Sequence, residues 1–209
     1  MKSATIFIIF IIFCSHGIAQ IIRGVDEVTP YHEDLAAIKK GNQWAFVNKE
    51  GLKVIDFRGD LVSTRDEYFL DEKGISPISY PLFKEGRCLI KKLIDGVYYY
   101  GYIDNNGKEI IAPQYVNATN FTNGYAIIIK FATIVLGENE ALDKRVVSYK
   151  LEEYVIDTSG KLIKYLDNAR NSIPSNLKNN IPPEFESKFI APHLIAVKTK
   201  GQKWDIYKF

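Results

Sequence analysis

A four-residue element, Asp-x-x-Gly, recurs between apolar runs and leaves this chain few folds to choose from. It occurs as Asp104-Asn-Asn-Gly107 and Asp157-Thr-Ser-Gly160, and with Asn in first place as Asn48-Lys-Glu-Gly51. Asp or Asn at the first position of a type I turn accepts from backbone N–H groups inside the turn. Gly at the fourth takes the left-handed conformation that closes a hairpin through a bulge. Strand-forming residues precede each element (Trp44–Val47, Tyr100–Ile103, Glu153–Ile156) and an apolar pair follows it (Val54-Ile55, Ile110-Ile111, Leu162-Ile163). Three hairpins are therefore expected, and period-two alternation puts Tyr98, Tyr100 and Tyr102 on one face, with Tyr99, Gly101 and Ile103 on the other. The turn glycines are spaced by 56 residues (51 to 107) and 53 (107 to 160), too similar for chance and too unequal for a strict solenoid.

A second element alternates with the first. Phe83-Lys-Glu-Gly86 precedes Cys88-Leu89-Ile90, and Phe121-Thr-Asn-Gly124 precedes Ala126–Ile129. Leu35–Lys39 reads as a first copy without its Phe-x-x-Gly, and Ile195–Lys198 as a last copy with Ala196 in the place of Ala36. From the small residue to the first residue of the next hairpin the chain runs 8 residues (36 to 44), 12 (88 to 100), 27 (126 to 153) and 8 (196 to 204). Hairpin loops of variable length account for the spread, since loops accept insertions cheaply. The longest case contains Gly137–Glu140, which reads as loop. Trp204–Tyr207 is a truncated last copy, as a terminal cap would be. Two stretches lie outside the frame. Leu61–Pro81, with a further turn at Asp71–Gly74, reads as a degenerate hairpin. Asp167–Pro192 is rich in Asn and Pro and reads as a long loop or partner-binding arm, with a short helical turn near Glu184–Lys188. The expected fold is mainly β: an array of about three and a half degenerate antiparallel hairpin repeats with irregular insertions.

At these residues the chain resembles the WG repeat (also called KWG repeat) of bacterial proteins. The family frame is roughly Gly-x-Trp-Gly-Tyr-Ile-Asp-x-x-Gly-Lys-x-Val-Ile-x-Pro-x-Tyr, then Phe-x-x-Gly-x-Ala. Gly101, Tyr102, Ile103, Asp104, Gly107, Lys108, Pro113, Tyr115, Phe121, Gly124 and Ala126 all fall in place. The name-giving pair does not: Trp44 is followed by Ala45, Trp204 by Asp205, and Tyr100 and Glu153 stand where Trp would. The resemblance spans most of residues 35–165 and the last residues of the chain. It implies a β-rich repeat module without a known catalytic centre, common among exported proteins. It marks Trp44, Gly51, Gly101, Tyr102, Asp104, Gly107, Pro113, Tyr115, Phe121, Gly124, Asp157, Gly160 and Trp204 as structural positions of the repeat.

The first residues read as an export signal. Lys2 is followed by the apolar run Ile6–Phe13, too short for the ~20 residues of a membrane-spanning helix, and Gly17-Ile18-Ala19 offers a cleavage site before Gln20. Residues 1–19 are then a signal peptide and 20–209 a single repeat domain, exported to the periplasm or beyond. The alternative is a lipoprotein anchored through Cys14, against which stands the bulky Phe13. Cleavage removes one base, Lys2, and no acid, so 27 Lys and Arg become 26 against 25 Asp and Glu. That balance lacks the basic footprint of a nucleic-acid binder, and the mature chain contains no apolar run long enough to span a membrane. Cys88, left alone, reads as a small buried hydrophobe.

A search for reaction chemistry finds no phosphate loop, dinucleotide fingerprint or nucleophile elbow. His32 and His193 have no metal-ligand spacing, and the acid pairs Glu152/Glu153 and Glu184/Glu186 are too close in sequence to face one another across a glycosidic bond. Neither a metal nor a cofactor is expected. Asn117-Ala-Thr119 and Asn120-Phe-Thr122 match the glycosylation acceptor pattern, a weak signal. The tyrosines could form a ligand platform, but cross-strand pairs holding a sheet are the simpler reading. The expectation is a non-enzymatic exported module that presents a β-repeat surface to a protein, peptide or glycan of the cell envelope. A hydrolase assembled from distant residues is the alternative.

Overall fold

The structure, a computed structural model, describes residues 22–70, 77–139, 144–179 and 181–209. The signal segment, Cys14 and the Asp71–Gly74 turn lie outside these residues. Seventeen antiparallel strands follow one another: β1 (Glu27–His32), β2 (Leu35–Lys40), β3 (Gln43–Asn48), β4 (Lys53–Arg58), β5 (Thr64–Leu70), β6 (Pro77–Tyr80), β7 (Cys88–Ile94), β8 (Val97–Ile103), β9 (Glu109–Tyr115), β10 (Asn117–Ala118), β11 (Tyr125–Asn139), β12 (Lys144–Asp157), β13 (Leu162–Tyr165), β14 (Arg170–Asn171), β15 (Ser187–Ala191), β16 (Leu194–Lys198) and β17 (Trp204–Lys208). They form four repeat sheets, β1 to β4, β7 to β9, β10 to β13 (with β14 on β12) and β15 to β17, plus the hairpin β5–β6.

The sheets stack in chain order. Ala37, Trp44, Phe46 and Ile55 of the first pack with Cys88, Ile90 and Ile103 of the second. From the other face of the second, Leu89, Tyr100, Tyr102 and Ile111 pack with Ala126, Ile128 and Ile156 of the third. Ile127 and Val155 of the third meet Ile195 and Val197 of the fourth. The outer face of the first sheet is covered by Ile22, Val25 and Phe57. Strands buried on both faces need continuous apolar runs, and this is why Cys88-Leu89-Ile90 and Ala126–Ile129 do not alternate with polar residues. Tyr80, Tyr102 and Tyr115 are fully buried, so they serve as core residues and not as a ligand platform.

The three expected turns form as drawn. Gly107 N–H donates to Asp104 O at 2.9 Å and Asp104 N–H to Lys108 O at 2.9 Å; the same pair of bonds occurs at Asn48–Leu52 and Asp157–Lys161. Gly51, Gly107 and Gly160 have φ of 76°, 80° and 87°, the left-handed residue of a type I turn closing on a bulge. Asp104 Oδ1 accepts from Asn106 and Lys108 N–H, each at 2.9 Å. Asp157 Oδ1 accepts from Ser159 Oγ at 2.6 Å, and that bond above all holds its carboxyl below the usual range. The contribution of this side chain is therefore present above the ordinary Asp range and lost as pH falls through the lowered one.

The Phe-x-x-Gly elements are tight turns of the other hand. Glu85-Gly86 and Asn123-Gly124 both have two successive positive φ angles, the mark of a type I′ hairpin. The first copy has the same turn in disguise: Glu33 and Asp34 have φ of 49° and 67°, with Tyr31 in the place of Phe83, so its Phe-x-x-Gly is replaced and not missing.

The glycine of the name-giving pair is explained by the strand opposite. Tyr100 pairs with Tyr115 and Tyr102 with Ile111, four residues of β9 against two of β8. The two extra residues bulge over Gly101, where a Cβ would lie 2.3 Å from Ile111 O and 2.7 Å from Pro113 N. In the first copy Trp44 pairs with Arg58 and Phe46 with Ile55, a single extra residue, and Ala45 fits. In the third, Tyr154 and Val155 pair with Tyr165 and Lys164 with no extra residue, and a full side chain, Tyr154, is accommodated.

Four expectations need correction. Gly137–Asn139 is strand, not loop: β11 and β12 lengthen into a ribbon, because Val135, Val146 and Val147 carry the pairing onward. The Asp167–Pro192 stretch is not all loop: it contains β14, a 3-10 helix at Pro174–Asn179 and most of β15. The helical turn expected near Glu184–Lys188 does not form; Ser187 and Lys188 pair with Val197 and Ala196 instead. In the last copy Ile195 pairs with Tyr207 as Ala36 pairs with Val47, so Ala196 is one residue out of the alignment drawn from sequence.

Gly101→Ala should destabilise by about 3 kcal/mol, since backbone and not a flexible side chain must move. Gly107→Val should cost about 1–2 kcal/mol or more, Asp104→Ala about 1 kcal/mol, and Asn106→Ala and Ala45→Gly less than either glycine change. Urea unfolding of the five variants checks the order.

Candidate binding groove

Glu153 occupies the place that Trp44 and Tyr100 fill in the earlier repeats, and it is 0% exposed. A lone buried carboxylate is costly unless paired and hydrogen-bonded, and the chain supplies every partner from the stretch between the third and fourth sheets. Arg170 Nη1 donates to Glu153 Oε1 at 2.9 Å and Glu186 N–H to the same oxygen at 2.7 Å; Ser187 Oγ donates to Oε2. Arg170 also reaches Glu186 Oε2 at 3.5 Å and donates to Glu184 O. Asn117 Nδ2 holds Pro183 O at 2.9 Å, and Leu177 is buried with Val97, Val116, Ile129 and Leu151. The 167–192 segment is thus tied down at three points.

Between this segment and the fourth sheet runs a groove of about 810 Å³. Lys150, Arg170, Lys198 and Lys200 stand among its walls beside Asp167, Glu186 and Asp205, with Tyr207 at one side. Asn168 also lines it. Both polar atoms of the Asn168 side chain are buried and bond to no protein group, the only side chain so placed among the described residues. An unmet buried donor or acceptor costs about 1–3 kcal/mol, so an Asn held this way calls for a partner presenting both a donor and an acceptor.

The other sequence candidates lie elsewhere. His32 Nε2 is 2.8 Å from Tyr80 Oη, and His193 packs edge-on against Tyr125 and Phe209. Among the described residues no three His, Cys, Asp or Glu are grouped to hold a metal ion, and no helix is long and apolar enough to cross a membrane. Cys88 is buried and burial pushes its thiol up. Tyr154 is pushed up to about 12, by desolvation first and then by its bond to Glu152. Asn117 and Asn120 spend their amide nitrogens on Pro183 O and Thr64 Oγ. Of the repeat positions, Trp44, Tyr102, Tyr115 and Phe121 are core and Gly51, Gly107, Gly124 and Gly160 are turns; only Trp204 stands near the groove, in an adjoining cleft with Arg170 and Glu186. Sequence reasoning missed Arg170 and Asn168. The available signal was Glu153 itself, a charge in a register position that is buried in every complete copy.

The geometry agrees with the family comparison. A model of the WG containing repeat matches residues 25–44 and 100–130, which take in β1, β2 and the start of β3, and the run from β8 to the first half of β11. The chain therefore carries WG repeats. No curated protein and no solved structure matches it.

Removing the Glu153 charge should unseat the 167–192 segment. Glu153→Ala should cost about 3 kcal/mol, because Arg170 is left buried without its partner, and trypsin should then cut first between the third and fourth sheets. Cys88 should resist thiol reagents in native buffer and react only with the unfolding rate, as mass spectrometry of labelled protein will show.

Proposed function

We propose that this chain is an exported, non-enzymatic binding module whose groove between the third and fourth sheets takes an extended peptide segment of a cell-envelope protein. The observation that carries the reading is Asn168. Its unmet amide matches a peptide group, which offers a donor and an acceptor at the same spacing. The mixed lining of Lys and Arg with Asp and Glu suits a segment bearing both charges. The exposed aromatics nearby each have a ring face occupied, Trp204 by Lys188 Nζ at 4.9 Å and Tyr207 by Lys164 Nζ at 5.6 Å from the ring centroid, which disfavours flat stacking of a sugar. A hydrolase would draw on the carboxylates of the groove, but neither histidine of the described residues lies there. Export rests on Lys2, the Ile6–Phe13 run and the Gly17-Ile18-Ala19 site.

Two measurements test this. The protein purified from the native source should begin at Gln20 by mass spectrometry; a chain starting at Met1 in the cytosol overturns export, and a lipidated Cys14 replaces free export with anchoring. A tiled array of envelope-protein peptides should retain the wild type on mixed-charge segments, with Asn168→Ala binding at least about tenfold more weakly. Asn168→Ala should at the same time unfold at equal or higher urea concentration than wild type, because it removes an unmet polar group. Retention on a glycan array with no peptide binding would refute the peptide reading.

A further inference from the structure

In each complete repeat the first hairpin strand is paired on both edges: β3 by β2 and β4, β8 by β7 and β9, β12 by β11 and β13. β17 is their counterpart in the fourth sheet, and among the described residues it pairs with β16 alone. We propose that this open edge is a self-association site, at which two copies pair β17 to β17 antiparallel about a two-fold axis and join their fourth sheets into one.

The parity of the ladder sets which groups are on offer. Thr199 N–H donates to Lys203 O at 2.8 Å and Phe209 N–H to His193 O at 3.1 Å. Residues 203, 205, 207 and 209 therefore turn their backbone groups to β16, and Trp204, Ile206 and Lys208 turn theirs outward. The complete repeats use the matching residues in that way: Asn48, Asp104 and Asp157 each donate to the strand that β17 lacks. The five pairs of β17 with β16 run without a register shift, and residues 204–208 contain no Pro, so the edge has neither of two common devices that block pairing.

The sequence of β17 is complementary to itself. A two-fold axis at Ile206 sets Ile206 against Ile206, Trp204 against Lys208 of the second copy, and Asp205 against Tyr207. No like charges meet, and Lys over an aromatic ring is a contact this sheet already makes at Lys188 and Trp204. The three outward residues of each copy would exchange about six backbone hydrogen bonds. The side chains also fit a covered edge: Trp44 and Phe46 are 8% and 1% exposed in the first sheet, whereas their counterparts Trp204 and Ile206 are 47% and 65% exposed. One strand per copy buries less than the ~1,200 Å² of a standard interface, so the association is weak, with dissociation in the micromolar range.

Sedimentation velocity of the mature chain up to about 200 μM should show a concentration-dependent dimer. Ile206→Pro removes an outward N–H that β16 does not use, and Ile206→Lys sets like charges on the axis; both should stay monomeric with the urea midpoint of wild type nearly unchanged. Under oxidation, Ile206→Cys should form a disulfide-linked dimer and Trp204→Cys should not, since only residue 206 meets itself and opposed Cα atoms lie about 5.5 Å apart. A wild type that is monomeric throughout, a dimer that survives Ile206→Pro, or Trp204→Cys cross-linking as well as Ile206→Cys would overturn the proposal. Peptide binding in the groove is read separately, by Asn168→Ala.

Discussion

The pitch of the stack is set by an isoleucine seated on a glycine. A Cβ at Gly107 would lie 3.4 Å from both Cγ atoms of Ile55, and one at Gly160 would lie 3.2 Å from Ile111. Ile55 and Ile111 each stand four residues beyond their own turn glycine, so the turn of every repeat is a socket for the preceding one. An arginine fixes each socket from the same side: Arg58 Nη1 donates to Gly107 O at 3.1 Å and Arg87 Nε to Thr158 O at 3.0 Å. The glycine therefore answers two demands, a positive φ and a seat without a side chain, and the second ties a local turn to the long-range order of sheets.

The opposite margin of the stack has its own linkage. The carboxylate of Glu33, in the first type I′ turn, accepts from the backbone N–H groups of Glu85 and Gly86 in the second. Glu85 Oε2 in turn accepts from Gly124 N–H in the third at 2.6 Å. Tight turns expose N–H groups that point outward together, and a carboxylate is their natural partner. The chain of contacts stops at the third turn, where Asn123 stands in the place of Glu33 and Glu85, and there the spacing between repeats also widens. Two independent linkages, one apolar and one polar, thus hold the first three sheets in step.

This arrangement divides what was legible in the sequence from what was not. Turn type, hairpin positions and the stacking strands could be read because each depends on residues within a few positions of one another, as at Asp104 and Gly107. The type I′ turn at Glu33-Asp34 escaped notice because nothing in those two residues advertises positive φ. The β11–β12 ribbon was hidden by Gly137 and the charges around it, since two strands that pair mainly with each other need no continuous apolar run. The groove could not be read at all: Asn168 and Arg170 become significant only once Glu153, Glu186 and Ser187 are brought together across 34 residues.

The departures from the repeat frame are themselves ordered. Where the opposing strand bulges by two residues the frame keeps Gly101, where it bulges by one it allows Ala45, and where it runs straight it admits Tyr154. Substitution of the aromatic by Glu153 follows the same rule of local compensation. A tryptophan at that place would be covered by apolar groups from the next sheet; a carboxylate needs donors, and Arg170 and the Glu186–Ser187 backbone provide them only if the intervening chain crosses the gap between sheets. That crossing spaces the third and fourth sheets apart beside Glu153 and lines the space with charge. The groove is thus a consequence of one buried charge in a register position. A repeat that had kept its aromatic would have closed over it, which places the candidate site where the pattern of the family is broken and not where it is best kept.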